Sequence, residues 1–285
     1  MIPADFAYAA PDSLEEAIRL LSEGGEDAKL LAGGHSLLPL MKLRLAAPSL
    51  LVDLRRVPGL AGVEAGAGGV RIGAMTRHAQ LQDRAELGLI ARAASSIADQ
   101  QVRNRGTIGG SLAHGDPASD LPAVLLTADG EVTARGASGE RTISASELFQ
   151  DYLTTALAPD EVLTEVRFPP LQDYGFGYEK FNRRAEDWAM VGVCALVKAS
   201  DGMCQDVRVG LVHMGSVPLR AVATEEALRG QPLDEDRITQ AADQADDGTE
   251  PPGDLNATPH YKRHLARVLT RRALRQAAGL EEGAR

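Results

Sequence analysis

Ala32-Gly33-Gly34-His35-Ser36-Leu37-Leu38-Pro39 closes the run Ala28-Lys29-Leu30-Leu31, and about 70 residues later Thr107-Ile108-Gly109-Gly110-Ser111 closes the stretch from Leu89 to Arg105. Each segment sets two adjacent glycines beside a hydroxyl residue. A glycine pair lets backbone approach a ligand closely. Successive N–H groups in such a bend form an anion-holding nest. A tight turn is the bland reading of either segment alone. Two such loops suggest a clamp on a diphosphate from both sides. Leu37–Leu43 reads as a helix start with Ser36 as its N-cap and Pro39 in the first turn. The first loop would then sit at a positive helix end. The chain has neither a Gly-x-Gly-x-x-Gly fingerprint nor a Gly-Lys-Ser/Thr loop, which argues against a doubly wound nucleotide fold.

Outward from these loops, the chain alternates short helices and strands. Leu14, Ala17, Ile18 and Leu21 share one face of a helix capped by Asp12 or Ser13 and ended by Gly24-Gly25. Leu50–Leu54 is a short buried strand, which makes a βαβ-like first lobe. Residues 62–65 and 69–73 form a hairpin, and Thr76 is positioned to cap the helix His78–Leu81. Leu89–Val102 reads as one helix with Ile90, Ala93, Ala94, Ile97 and Ala98 in a stripe. Further helices are expected at Leu121–Leu126 and Ser144–Tyr152, and strands at Glu131–Ala134 and Glu161–Phe168.

Pro169-Pro170 and Gly175/Gly177 mark a boundary. We expect one domain over residues 1–172, in lobes of about 1–55 and 56–172, and a second over 173–285. The second holds three antiparallel strands (Gly175–Phe181, Val191–Lys198, Val207–His213), helices at Thr224–Leu228 and Arg237–Ala245, an acidic loop, and a basic closing helix His260–Ala277. With Asp201-Gly202 as a two-residue turn, Cys204 faces Ala199 and Cys194 faces Val209. The thiols then cannot meet, which suits a reducing cytoplasm.

A net charge of −10 and only 4% aromatic residues argue against a nucleic-acid partner. Two cysteines cannot supply the four thiolates of an iron–sulfur cluster. The six histidines are scattered, so no protein metal site is expected. The N-terminus lacks signal-peptide character, and no apolar run approaches the ~20 residues of a membrane span.

Taken with Asp116-Pro117-Ala118-Ser119-Asp120-Leu121-Pro122, the two glycine segments, in this order, resemble the FAD-binding subunits of the molybdenum hydroxylases, the xanthine dehydrogenase family. The likeness is to the medium subunit of aerobic carbon monoxide dehydrogenase. It runs from Phe6 to the helix around Arg271–Leu274. It implies an α+β fold: a two-lobed FAD-binding domain of the vanillyl-alcohol-oxidase/PCMH type, then a smaller domain with a three-stranded antiparallel sheet and helices that completes the flavin site.

FAD brings its own redox chemistry, and the protein holds and tunes it. The pyrophosphate would lie between Leu31, Ala32, Gly33, Gly34, His35, Ser36 and Leu37 on one side and Thr107, Ile108, Gly109, Gly110 and Ser111 on the other. Asp120 either accepts from the ribose hydroxyls or caps the helix that begins at Leu121. The resemblance places Lys180 near the flavin ring and Leu163 against it; without it, Lys180 reads as a solvated strand residue. Trp188, the single tryptophan, reads as a packing anchor ahead of a flavin stacker. Arg183 and Arg184 are either an interface or a solvated basic turn. No catalytic residue is assigned.

The resemblance implies an iron–sulfur small subunit and a molybdopterin large subunit as partners, in a dimer of heterotrimers. The [2Fe–2S] clusters and molybdopterin belong to those chains. Electrons would pass to an external acceptor such as a quinone, in the cytoplasm or at the inner membrane face through the complex. The substrate would be carbon monoxide or, in a related complex, an N-heterocycle, ketone or aldehyde. A non-redox module binding a nucleotide diphosphate is the alternative from another class.

Overall fold

The computed structural model describes residues 2–280. Its first sheet is parallel, with β1 (Ala7–Ala9), β2 (Ala28–Leu31) and β3 (Leu50–Asp53) in the order β1-β3-β2. Helix α1 (Leu14–Gly24) follows β1, and α2 (Leu37–Lys42) makes the crossover between β2 and β3. Ser13 caps α1 by accepting from the Glu16 N–H at 3.2 Å. Ala17, Ile18 and Leu21 then pack with Val52 and Leu54 in a small core. Strand β1 was not foreseen, because its half-exposed residues carry no apolar alternation.

The second sheet is antiparallel, with strands at Val63–Gly66, Gly69–Gly73, Val162–Phe168, Glu131–Gly136 and Gly139–Ser144 side by side in that order. Its strands are β4 (Val63–Gly66), β5 (Gly69–Gly73), β6 (Glu131–Gly136), β7 (Gly139–Ser144) and, after the short ribbon β8 (Phe149–Asp151) and β9 (Thr154–Thr155), β10 (Val162–Phe168). Over it lie α3 (His78–Gln82), α4 (Leu89–Ser95), α5 (Gln100–Arg103), α6 (Ile108–His114) and α7 (Asp120–Thr127). Ile72, Leu81, Ile90, Ile108, Leu112, Leu121, Leu125 and Val166 form the largest core between these layers.

Three local readings are corrected. Leu89–Val102 is not one helix. The Ser95 and Ser96 hydroxyls donate to the Arg92 and Ala93 carbonyls, and Ala98 takes φ 41°. Arg103 then donates to the Ile97 and Ala98 carbonyls at 2.8 and 2.7 Å, and Asp99 caps α5. Thr76 does not cap α3. Its hydroxyl oxygen accepts from the Gly62 N–H, and the cap position belongs to Arg77, whose N–H donates to Gln80. Ser144–Tyr152 holds only the single-turn α8 (Ala145–Leu148) before Phe149 enters the β8–β9 ribbon.

The third sheet, β11-β12-β13-β14, is antiparallel and has four strands rather than three: β11 (Gly175–Phe181), β12 (Val191–Ser200), β13 (Met203–Val212) and the two-residue β14 (Leu219–Arg220). Helices α9 (Val222–Leu228), α10 (Glu235–Ala242) and α11 (Pro259–Ala277) follow. The unbroken apolar run of β12 is explained by burial on both faces. Val191, Val193, Ala195 and Val197 point to the core under α11, whereas Cys194 and Leu196 join the core of α4 and α7. Asp201-Gly202 is the expected turn, with both residues at positive φ. Cys204 does face Ala199, but a bulge after Lys198 shifts the register, so Cys194 faces Gly210 rather than Val209. Both thiols are free and buried. Gly210 gives α7 its seat: a Cβ there would collide with the Thr127 hydroxyl and lie 3.0 Å from the Ala123 carbonyl oxygen.

Candidate functional site

Between the three sheets lies a cleft of about 460 Å³, a size that suits a small-molecule or cofactor site. The end of β2, the first glycine loop, the start of α6, the Ile97–Ala98 turn, Leu163 of β10, Ser119–Asp120 and Lys180 of β11 all line it. Every residue that the sequence assigns to the flavin site lines the cleft except Ile108, whose side chain is fully buried in the core.

The first loop carries the donors. Among the described residues, the backbone N–H groups of Gly33, Gly34, His35, Ser36 and Leu37 have no acceptor within the protein. Gly34 takes φ 80°, a conformation that suits glycine. Ser36 occupies the cap position of α2, yet its side chain makes no capping hydrogen bond, contrary to expectation. Its hydroxyl therefore stays available to a ligand.

The second segment differs from the expected open loop. Gly109 and Gly110 lie in the first turn of α6, whose N-cap is Thr107. The N–H groups of Ile108 and Gly109 donate to the Thr76 and Ala74 carbonyls, that of Gly110 to the Thr107 hydroxyl, and that of Ser111 to the Thr107 carbonyl. They are not free for a nest. What this side offers is the Thr107 and Ser111 hydroxyls and a short helix N-terminus. The glycines serve close packing. A Cβ on Gly33 would come 2.5 Å from the Arg105 carbonyl oxygen and 2.8 Å from the Gly106 Cα, and one on Gly109 would come 2.5 Å from the Ala74 Cβ. Gly33 thus brings the first loop against the segment that leads into the second.

Asp120 is the first residue of α7. Ser119 occupies the cap position, and the capping reading of Asp120 is not realised. Its carboxylate is buried, accepting from the Tyr178 hydroxyl and, at 3.0 Å, from the Lys180 ammonium. Lys180 also donates to the Ser96 carbonyl at 3.2 Å. Its side chain is 7% exposed, so it is not a solvated strand residue. Burial, then the Asp120 charge, raises the Tyr178 pKa well above its ordinary value, which keeps the phenol a donor. The cation that the sequence places near a flavin is therefore held and partly neutralised by a carboxylate 60 residues away.

Two histidines share the first loop's wall. Burial, then the Arg105 charge, lowers the His35 pKa. Burial, then His35 and Arg103, lowers that of His78 to about 4. The Nδ1 atom of His78 is buried and without a hydrogen-bond partner. Sequence reading gave His78 only a place in a helix; its apposition to Gly106 depends on the fold. Trp188 is corrected as well. It is 55% exposed, so it anchors no core, and it stands with Glu186 and Asp187 at the rim of the cleft.

Five free amides, three hydroxyls and a neighbouring helix start suit a pyrophosphate, and the apolar wall of Met75, Ile97, Val102 and Leu163 suits flat rings. The donor set and the close glycine packing fit FAD. Residues 4–171 match the family model described as "FAD binding domain in molybdopterin dehydrogenase", and residues 176–277 match "CO dehydrogenase flavoprotein C-terminal domain". The chain is 41% identical to the carbon monoxide dehydrogenase medium chain of Hydrogenophaga pseudoflava, over 97% of this chain and 98% of that one. It is 40% identical to the alpha subunit of the 6-hydroxypseudooxynicotine dehydrogenase complex of Paenarthrobacter nicotinovorans, over 97% of this chain and 96% of the other. It superposes on a chain of the solved Hydrogenophaga pseudoflava carbon monoxide dehydrogenase with a TM-score of 0.94 at 42% identity, covering 98% of this chain and 99% of that one. The chain belongs to the FAD-binding medium subunits of the molybdenum hydroxylases.

Proposed function

We propose that this chain is the electron-transfer flavoprotein of a molybdenum hydroxylase complex, receiving electrons from partner iron–sulfur clusters and passing them to an external acceptor. The observation that carries this reading is the run of unpaired amides from Gly33 to Leu37, facing α6 across a cleft that also holds Lys180. The amides and the Thr107, Ser36 and Ser111 hydroxyls bind the pyrophosphate. The Lys180–Asp120 pair sets the charge at the other end of the cleft. When bound, FAD supplies the redox chemistry, taking up electrons and releasing them to the acceptor. Leu163 and the Ile97–Ala98 turn exclude water from the ring.

Iron–sulfur clusters and molybdopterin are assigned to partner chains, because two buried cysteines offer no cluster ligand set. The complex would be a heterotrimer, duplicated into a dimer, with a quinone among its candidate acceptors. For its substrate we put carbon monoxide first. An N-heterocycle is the second reading, favoured by the near-equal identity to the 6-hydroxypseudooxynicotine enzyme. The test is anaerobic addition of carbon monoxide, then of N-heterocycles, aldehydes and ketones, to the holo-chain alone and to the reconstituted complex. Flavin bleaching should require the complex. Bleaching of the isolated chain by any of these substrates would overturn the electron-transfer reading.

A further inference from the structure

We propose that His213 is a positioning residue that ties together two walls of the flavin cleft; the proposal rests on the flavin reading above. His213 follows β13 with φ 63°, a left-handed conformation that β-strand ends do not need. This bend places two donors of one residue on two separate segments. The backbone N–H donates to the Pro117 carbonyl at 2.8 Å. Ring Nδ1 lies 2.8 Å from the Ala189 carbonyl oxygen. Pro117 leads directly into Ser119 and Asp120, and Ala189 directly follows Asp187 and Trp188. Those four residues, from two separate segments, all line the cleft.

The tautomer that this needs is fixed from behind. Ring Nε2 lies 3.4 Å from the Lys262 Nζ. Lys262 is fully buried, and its ammonium donates to the Asp254 carboxylate at 2.7 Å. Asp254 also accepts from the Asn256 and Ala257 N–H groups at 2.7 and 2.9 Å. An ammonium can only donate, so Nε2 must be the bare nitrogen and Nδ1 carries the proton. A carbonyl can only accept, so the Ala189 contact requires the same assignment. Burial of the ring, then the bond to Ala189, Lys262, Asp254 and Asp116, bear on its titration, and the net effect lowers the pKa. The buried Lys262 of α11, held by the partly exposed Asp254 carboxylate of the preceding loop, thus orients a ring at the base of the Trp188 turn.

The single tryptophan reads the claim directly. Asn at position 213 can present a side-chain N–H where Nδ1 stands, whereas Gln and Ala cannot. The experiment measures acrylamide quenching of Trp188 emission in the full chain, with FAD bound and after its removal, together with the FAD dissociation constant. His213→Ala and His213→Gln should raise the quenching constant by about half in both states, since Trp188 is already 55% exposed, and should weaken FAD about tenfold, the effect of one lost hydrogen bond. His213→Asn should stay within about twofold of wild type in affinity. Unchanged quenching and affinity in His213→Ala and His213→Gln overturn the proposal. So does a His213→Asn chain as perturbed as His213→Gln, since that result marks a packing role. If the Ala variant does not fold, the Asn–Gln contrast decides alone. A wild-type chain that binds no FAD would instead sink the flavin reading, whatever the quenching shows.

Discussion

Replacing Lys180 with Met removes the ammonium from a pair whose side chains are 7% and 4% exposed. Asp120 then keeps only the Tyr178 hydroxyl as a donor, in a site where water access is slight. Breaking a buried pair from one side destabilises by ~3–5 kcal/mol, because the remaining charge is left uncompensated. The retained Tyr178 bond and the adjoining cleft put the expected loss near the lower end, ~3 kcal/mol. The pair spans β11 and α7, so the loss falls on the contact that closes the cleft. The double variant Lys180→Met/Asp120→Asn removes the orphan charge while keeping an acceptor for Tyr178. It should recover about 2 kcal/mol of the single variant's loss, an interaction far outside additivity. The assay is urea unfolding of the FAD-free chain, which keeps ligand linkage out of the comparison. FAD affinity, measured separately, should fall for the single variant and partly return for the double. A Lys180→Met loss below ~1 kcal/mol, with additive behaviour in the double, would refute the buried-pair reasoning.

Other perturbations probe different parts of the site. Gly33→Ala should abolish FAD retention while the chain still folds, because the new Cβ forces the first loop away from the Arg105–Gly106 backbone; gel filtration followed by a visible spectrum checks it. Gly110→Val should do the same by displacing the Thr107 hydroxyl, which would lie 2.8 Å from the new Cβ. His78 is held neutral, with its pKa lowered from 6.5 to about 4, so its stabilising effect is complete above pH 6.5 and is lost as pH falls through 4. His78 should therefore account for ~2 kcal/mol of the stability that the FAD-free chain loses between pH 7 and 5, a share that His78→Asn removes while the smaller shares of His35 and His213 stay. Acid denaturation should release all the flavin, since neither cysteine lines the cleft and His35 stands in the loop that holds the pyrophosphate; flavin left on the polypeptide contradicts a non-covalent site. Arg183→Glu/Arg184→Glu should weaken binding of the partner subunits with FAD still in place, as judged by co-purification.

The parts of the fold that were legible in the sequence are those set by local pattern. Ser13 and the Leu14–Leu21 stripe mark α1, the unbroken apolar run marks β12, and Asp201-Gly202 marks its hairpin. Order and spacing of the three motifs pointed to the cleft, and the residues assigned from them line it, Ile108 excepted. What the sequence concealed depends on distant partners. The break at Ala98 arises from an Arg103 side chain that reaches back to two carbonyls. The Cys194 register was misread because a bulge leaves no compositional trace. Most tellingly, the two glycine motifs look alike in sequence yet differ in role. One leaves its amides unpaired, and the other donates its amides to Ala74, Thr76 and Thr107. The Asp120–Lys180–Tyr178 cluster likewise joins residues about 60 positions apart, beyond any local pattern.

Electron transfer through the flavin is tested most directly by anaerobic stopped-flow mixing of the oxidised holo-chain with its iron–sulfur partner, reduced beforehand and freed of reductant. The flavin band should bleach as the oxidised cluster absorbance returns, in matching electron equivalents, and a Gly33→Ala chain lacking FAD should leave the partner reduced. A complex that forms while the flavin stays oxidised and the clusters stay reduced would contradict transfer through the flavin.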